Sequence, residues 1–457
     1  VLSQFLAIVV NIVLARLLMP EDFGLVALTM TYIGFITLFT NMGFGSSIIH
    51  ESETSKKQLS SIYWLNYGLS LFSFLIMIST SQFAASFYNE PKLTAIVMIA
   101  AINILLNPFY IVQYKLLERN LEFKTISKIN LSGILIGSIA AIIGAYLGLG
   151  VYALILQSLV SSAIRLVMIM LYKRWLPSIY FNFNEIKHMI WYSLKFKASQ
   201  MSMYFERNID YLILGKFVTS AILGYYAFSY NIMYTPVKRI SYIFSEVLFP
   251  SFSSFKNDKQ KIINGYFKSV NLIALVSIPA MTILAFNADF IINLVFGQKW
   301  DEAIPIVRIL CFAGAVQSIS QFGGVIFSSI GKPEITLYVS IGRTILTVLA
   351  IVIGVQYGVL WVAYLLVIAK VLSFTLFLWV LNYYISFSIK QLFNSLKGPL
   401  VSFISLSVIY VLFYFNYLIV SAWMLLAIMI IVELIILYIF HKNTIFGILK
   451  ILKEKTE

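Results

Sequence analysis

Nine basic residues lie inside, or at the ends of, long apolar runs of this 457-residue chain: Arg16, Arg165, Arg207, Lys216, Lys238, Arg239, Arg308, Arg343 and Lys370. Acids at comparable depth are fewer, namely Glu206, Asp210, Glu246, Asp289 and Glu433. On an insertion scale a Lys or Arg at the centre of a membrane helix costs about 2.5 to 3.5 kcal/mol, so five or six of them facing lipid would cost on the order of 15 kcal/mol. Such groups turn instead toward a water-filled cavity, where the chemistry open to them is charge pairing with whatever enters. At Arg207 two readings stand side by side. Asp210 follows at the helical i+3 position and Glu206 is adjacent, so Arg207 either closes a structural or gating ion pair with Asp210 or offers its charge to a substrate. Arg343 and Lys370 have no acid within a helical turn, which favours a cavity role. Lys238 and Arg239 point about 100° apart on a helix, so at most one faces the centre. Arg16 and Lys216, near the ends of their runs, either snorkel to the interface or take part in gating, and Arg165 is placed to snorkel as well.

Other chemistries are poorly provided for. The three histidines, His50, His188 and His441, form no HExxH, and Gly331-Lys332 runs into Pro333 without the upstream glycine of a phosphate loop. Direct ATP hydrolysis and enzyme catalysis in general are therefore not expected, and neither is a cofactor or metal. The lone Cys311, set in an apolar run, excludes a disulfide framework and reads as a small buried hydrophobe. Tyr204, Tyr211, Tyr225, Tyr226, Tyr230, Tyr234 and Tyr242 concentrate near the middle of the chain, where packing or interface placement competes with contact to a sugar ring. Pro236 and Pro279 inside runs, and Gly43 and Gly45, are candidate kinks.

The elements that must hold these residues are membrane helices. Hydrophobic residues make up 60% of the chain and charged residues 11%, with a mean hydropathy of +0.90, against roughly 25% charged in a soluble domain. Windows of about 20 apolar residues, enough to cross about 30 Å of hydrocarbon, recur along the whole length. Fourteen spans are expected: 1–18, 23–49, 59–88, 93–114, 129–147, 151–171, 189–217, 222–250, 269–296, 303–330, 334–355, 358–383, 398–416 and 418–440. Of the 33 Lys and Arg residues, 22 fall in the loops and span flanks on one side and only Lys92 and Lys299 on the other. The positive-inside rule then puts both termini in the cytoplasm of a multi-pass inner (plasma) membrane protein. The net charge of +14 is scattered over short loops, so anionic lipid headgroups fit it better than nucleic acid. Val1 already lies in an apolar run, so the first span is expected to begin upstream.

Sliding the chain by 200 residues sets Leu14-Ala15-Arg16-Leu17-Leu18 on Leu214-Gly215-Lys216-Phe217-Val218 and Phe23-Gly24-Leu25 on Leu223-Gly224-Tyr225. A shift of 210 sets Gly148 to Ala153 on Gly358 to Ala363. These matches predict two six-helix bundles, residues 1–188 and 189–390, related by a pseudo-two-fold axis along the membrane normal, with the substrate path between them. Helices 13 and 14 with a cytoplasmic tail, residues 391–457, stand outside the repeat. Gly133, Gly137, Ala141 and Ala145, spaced by fours, predict close helix packing in the fifth span.

The run Leu14-Ala-Arg-Leu-Leu-Met-Pro-Glu-Asp-Phe-Gly-Leu-Val-Ala-Leu28 and Asn41-Met-Gly-Phe-Gly45 resembles the opening of polysaccharide exporters of the Wzx and WzxC type. The second-half runs Asp210 to Gly215, Leu223 to Phe228 and Glu246 to Pro250 are similar too. The resemblance, to the multidrug/oligosaccharidyl-lipid/polysaccharide flippase superfamily, implies two six-helix bundles that flip an undecaprenyl-pyrophosphate-linked oligosaccharide by alternating access, for surface polysaccharide biosynthesis. A proton or sodium gradient is the candidate drive, and polysaccharide polymerase machinery a candidate partner. Arg and Lys suit pyrophosphate, so Arg207, Lys238, Arg239, Arg343 and Lys370 are the expected substrate-binding residues, with Arg16, Asp210 and Lys216 as gating or ion-pair residues. A multidrug or lipid II exporter of the same superfamily and a non-transport component of polysaccharide assembly are the competing readings. The excess of deep cations over acids counts against a cationic drug.

Overall fold

In lipid a chain satisfies its backbone donors and acceptors only as helices or as a closed barrel, and the computed structural model is helical, with no strand among its described residues. Those residues are 2–40, 47–49, 51, 54–172, 175–254, 259–320, 326–327, 332–415 and 420–454. Gly43, Gly45, His50 and Gly331 lie outside them. The first stretch holds α1 (Leu2–Leu17), α2 (Pro20–Thr40), α3 (Lys56–Tyr88), α4 (Lys92–Leu106), α5 (Pro108–Arg119), α6 (Phe123–Tyr146), α7 (Val151–Tyr172) and α8 (Phe183–Phe217). There follow α9 (Ser220–Ser254), α10 (Lys259–Phe286), α11 (Ala288–Val295), a 3-10 turn (Gln298–Ala303), α12 (Ile304–Ser320), α13 (Pro333–Gly354), α14 (Val359–Tyr384), α15 (Ile389–Tyr414) and α16 (Ala422–Glu454).

Ten helices among the described residues are long and apolar enough to cross a membrane, or eleven if the bent pair α4 and α5 is one span, so the protein is a multi-pass membrane protein. The expected fourteen are not all reached among the described residues: α1, α8 and α9 are not among the ten, and α4 with α5 counts only as a bent pair. α1 contributes the apolar stretch Ser3–Leu17. The long α8 carries Lys187, His188, Lys195, Lys197, Glu206, Arg207, Asp210 and Lys216 along 35 residues, too many charges for an apolar window. The expected single span 93–114 is broken: α4 and α5 meet at 48° across Asn107. Pro108 opens α5 at its first position, where a residue without an N–H ends one hydrogen-bond ladder and starts the next. Pro236 and Pro279, by contrast, sit within α9 and α10, which continue through them.

Packing divides the chain into two compact units, Val1–Ala227 and Phe228–Glu457, with the division in the third turn of α9. In the first unit the small-residue row of α6 does what its spacing predicts. A Cβ on Gly137 would lie 2.0 Å from Ser161 Oγ and 2.7 Å from the Gln157 carbonyl oxygen of α7, so glycine there lets two backbones touch. Ala141 continues the row into a cluster with Val10 and Leu14 of α1 and Ala153 of α7. A serine capping box starts α3, with Ser55 Oγ accepting from the Gln58 N–H at 3.1 Å and Gln58 Oε1 from the Ser55 N–H at 2.9 Å. In the second unit α10 is the central post, packed by α12 and α15, and its core joins Tyr266 and Val270 to Phe327, Val339 and Phe377. Cys311, on α12, is fully buried there, as a small hydrophobe would be.

Candidate substrate pathway

Helix α8 presents its charged residues in two different ways. Arg207 is exposed, while Asp210, one turn on, is 5% exposed. The ion pair that the i+3 spacing predicts is absent among the described residues. Asp210 Oδ2 instead accepts a hydrogen bond from the hydroxyl of buried Tyr226 on α9, at 2.9 Å. The reason is the direction of burial: the short acid turns into the α8–α9 contact, where a phenol from α9 reaches it, and the long guanidinium stays out. Tyr226 also meets Tyr211 edge to face, with centroids 6.0 Å apart. Arg207 is thereby left with its full donor set for another partner.

Where α8 leaves its apolar stretch, Lys216 is fastened. Its Nζ donates to the carbonyl oxygen of Phe87 at 2.5 Å and lies 4.8 Å from the centroid of the Phe87 ring. Phe87 belongs to the last turn of α3, so the cation sits where the helix dipole and unpaired carbonyls attract it. Close by in the chain, Lys92 Nζ and Glu21 Oε1 form an ion pair at 2.8 Å, and the Ser220 N–H donates to Glu90 Oε1 at 3.3 Å. Arg16 is exposed in the last turn of α1. Tyr204, earlier on α8, donates its hydroxyl to the Thr31 carbonyl of α2. A Cβ on Gly34 would come within 2.6 Å of its ring, so this tyrosine is committed to packing.

The tightest approach in the first unit joins the first turns of α2 and α9. A Cβ on Gly24 would stand 1.8 Å from the Ser220 carbonyl oxygen, and a Cβ on Gly224 would stand 1.8 Å from the Pro20 carbonyl oxygen. The contact is reciprocal: each glycine meets the carbonyl four residues before the other, and the equivalent residues, Pro20 with Ser220 and Gly24 with Gly224, are 200 residues apart. A point of this kind is what an isologous contact looks like, and each Cα–H is aimed at a carbonyl in the manner of a weak hydrogen bond. The sequence contained the signal, since Phe23-Gly24 aligns with Leu223-Gly224, but apolar repeats do not reveal which positions touch.

In the second unit Lys238 is exposed and Arg239 half-buried on α9, and among the described residues neither has an ion-pair partner. Tyr230 and Tyr234 stack one turn below them, centroids 5.8 Å apart. Arg343, half-buried on α13, is tied to its own unit: Nη2 donates to the Ser320 carbonyl at the end of α12 at 3.2 Å, and the guanidinium carbon is 5.9 Å from the centroid of the Phe377 ring on α14. Lys370 is half-buried on α14. Arg308 pairs with Asp289. The cations therefore differ in kind. Arg207, Lys238 and Arg239 remain able to receive an anion, whereas Lys216, Arg308 and Arg343 are bound to carbonyls or an acid.

A family described as "Polysaccharide biosynthesis protein" matches residues 13–305 of the chain. Among curated relatives, the teichuronic acid biosynthesis protein TuaB of Bacillus subtilis is 29% identical over 368 residues, 80% of this chain and 76% of the relative. The lipopolysaccharide biosynthesis protein WzxC of Escherichia coli is 26% identical over 353 residues, 77% of this chain and 72% of the relative. In fold the chain is similar to the lipid II flippase MurJ in an inward closed conformation, at a TM-score of 0.75 and 16% identity, covering 97% of this chain and 98% of that one.

Proposed function

The chain belongs to the polysaccharide biosynthesis protein family, and on that premise we propose that it flips an undecaprenyl-pyrophosphate-linked oligosaccharide across the inner membrane by alternating access. The observation that carries the reading is the exposed charge of Arg207 on α8 and of Lys238 on α9, neither of which has an ion-pair partner among the described residues. A pyrophosphate crossing hydrocarbon brings about two negative charges that need such donors, and a planar guanidinium can hold two phosphate oxygens at once. Arg239, Arg343 and Lys370 are the further candidates; Arg343 reaches substrate only if it leaves the end of α12.

The full architecture in this reading is fourteen helices, with halves 1–188 and 189–390 about a pseudo-two-fold axis and a C-terminal pair in 391–457. The reciprocal approach of Gly24 and Gly224 supports such an axis, because equivalent residues of two repeats meet at it. The loop charges support an orientation with both termini cytoplasmic, which places that glycine contact, Lys216 and Arg16 at the external end. An ion gradient and not catalysis drives the movement, and polymerase machinery receives the product. Names of relatives by sequence favour polysaccharide precursors over the lipid II of the structural neighbour, whose low identity speaks for fold alone.

The test is transport by the purified chain in liposomes carrying the lipid-linked oligosaccharide, scored by its accessibility to an added lectin. Wild type exposes the inner pool; Arg207→Ala, at equal reconstitution, is expected to lose this and Arg207→Lys to recover part of it, since a point charge still attracts phosphate. No movement by the wild type overturns the function, and full movement by Arg207→Ala removes this residue from the site.

A further inference from the structure

A second buried acid, besides Asp210, lies on the C-terminal helix. Glu433, on α16, is 7% exposed within the apolar stretch Ala422–Ile439. Its Oε1 accepts a hydrogen bond at 3.3 Å from the hydroxyl of fully buried Ser402 on α15. Its Oε2 is buried and has no hydrogen-bond partner among the described residues. One turn toward Ala422 on the same face, Met429 Sδ stands 3.2 Å from Nδ2 of Asn287, a residue 3% exposed at the junction of α10 and α11. That amide spends its N–H groups on Met429 and on the Ile283 carbonyl, at 2.9 Å, and its Oδ1 is also buried without a donor.

The seam of α10, α15 and α16 thus holds two acceptor oxygens with no donor, among Leu406, Leu425, Ile283 and Phe286. No described cation offers one. On α15 the basic residues are Lys390 and Lys397, both exposed, the nearer about 7.5 Å along the helix axis from Ser402. α10 carries Lys259, Lys261 and Lys268, all in its first ten residues, and Lys261 and Lys268 are exposed. Of the neighbouring phenols, Tyr410 stacks on Phe286 at 4.4 Å, and Tyr266 lies in a separate core with Phe377, its own hydroxyl buried without a partner among the described residues. Tyr438, on α16 itself, is 60% exposed.

We propose that Glu433 is a proton-binding site, occupied when the seam of α10, α15 and α16 is closed. An ionised carboxylate in hydrocarbon with one hydroxyl for company is strongly disfavoured, and neutralisation by a proton is the available remedy. Protonation also turns Oε2 from an acceptor without a donor into a donor, the group the seam lacks. Loss of the proton requires the seam to admit water, so the carboxyl reports and biases the opening of the last two helices. This protonation stands without the transport reading; only a role in coupling, in which the bound proton is the driving ion, rests on it.

Infrared difference spectra of the full chain in lipid nanodiscs test the site. Wild type minus Glu433→Gln at neutral pH should show the carbonyl stretch of a protonated carboxylic acid, unchanged by sodium chloride in place of potassium chloride. Carboxylate bands alone overturn the proposal, and carboxylate bands that shift with sodium replace the proton by a metal cation. Glu433→Gln is a neutral isostere with an N–H to give, and it should melt as wild type does; a collapse of the fold on that substitution would mean an ionised, structural carboxylate and would equally overturn it. Glu433→Asp provides a second spectrum, in which the same acid band moves in frequency. If liposome transport occurs, stimulation by a proton gradient should be lost in Glu433→Gln while gradient-free movement remains. A normal spectrum in a chain that transports nothing separates this inference from the proposed function.

Discussion

Adding one methyl group at Gly24 should open the α2–α9 approach, and the structure sets the size of the effect. The new Cβ would stand 1.8 Å from the Ser220 carbonyl oxygen and 2.7 Å from its carbon, both backbone atoms that no rotamer change can move. A carbon and a carbonyl oxygen rest at about 3.3 Å or more, so the helix ends must separate by about 1.5 Å. Overpacking of this kind costs about 1 to 3 kcal/mol, which lowers the population of the closed contact about 5- to 150-fold. Gly224→Ala meets the Pro20 carbonyl at the same 1.8 Å, so the two single variants should lose equal stability. The double variant is the decisive one. Once the first methyl has parted the ends, the second fits the space already made, and the combined loss should fall well short of the sum. Thermal unfolding of the four proteins in detergent measures this cycle. Unchanged single variants, or a double variant equal to the sum of the two, would refute the reciprocal contact.

Lys216→Met should destabilise the chain by about 0.3 to 1 kcal/mol, read as a lowered melting temperature, because the end of α3 loses the cation on its last carbonyls; Lys216→Arg should hold. Tyr226→Phe should cost about 1 to 3 kcal/mol by removing a donor from buried Asp210, and adding Asp210→Asn should recover part of that loss; a neutral Tyr226→Phe would place the support of Asp210 elsewhere. Cysteines in a Cys311→Ala background should be labelled by an impermeant reagent at Gln298 in intact cells and at Lys259 only after permeabilisation, and the reverse pattern would invert the orientation.

What could be read from the sequence is whatever depends on the bilayer alone. Apolar length predicted most of the helices, and the spacing of Gly133, Gly137 and Ala141 predicted the α6–α7 approach, because hydrocarbon thickness and backbone distance leave few alternatives. Breaks were harder. Pro108 divides the expected fourth span, yet Pro236 and Pro279 interrupt nothing in α9 and α10, and the difference lies in whether the chain can start a new helix at an Asn-Pro step without losing its packing. Pairing was harder still. Helical spacing set Asp210 within reach of Arg207, but reach on one helix competes with donors from every neighbour, and Tyr226 of α9 prevailed.

The same competition explains why a count of deep charges does not by itself describe a binding site. Depth alone would treat Arg207 and Arg343 alike. Arg343 meets the Ser320 carbonyl of α12 and an aromatic face on α14. Holding substrate there means giving up both. Arg207 gives up nothing, because the acid that could have held it is occupied by a phenol. Asp210 is held by the Tyr226 hydroxyl and by the Tyr211 N–H, at 2.9 and 3.0 Å, while Arg207 stays exposed. Removal of the Tyr226 hydroxyl, which frees one oxygen of Asp210, should therefore be felt at Arg207 as well as in the fold.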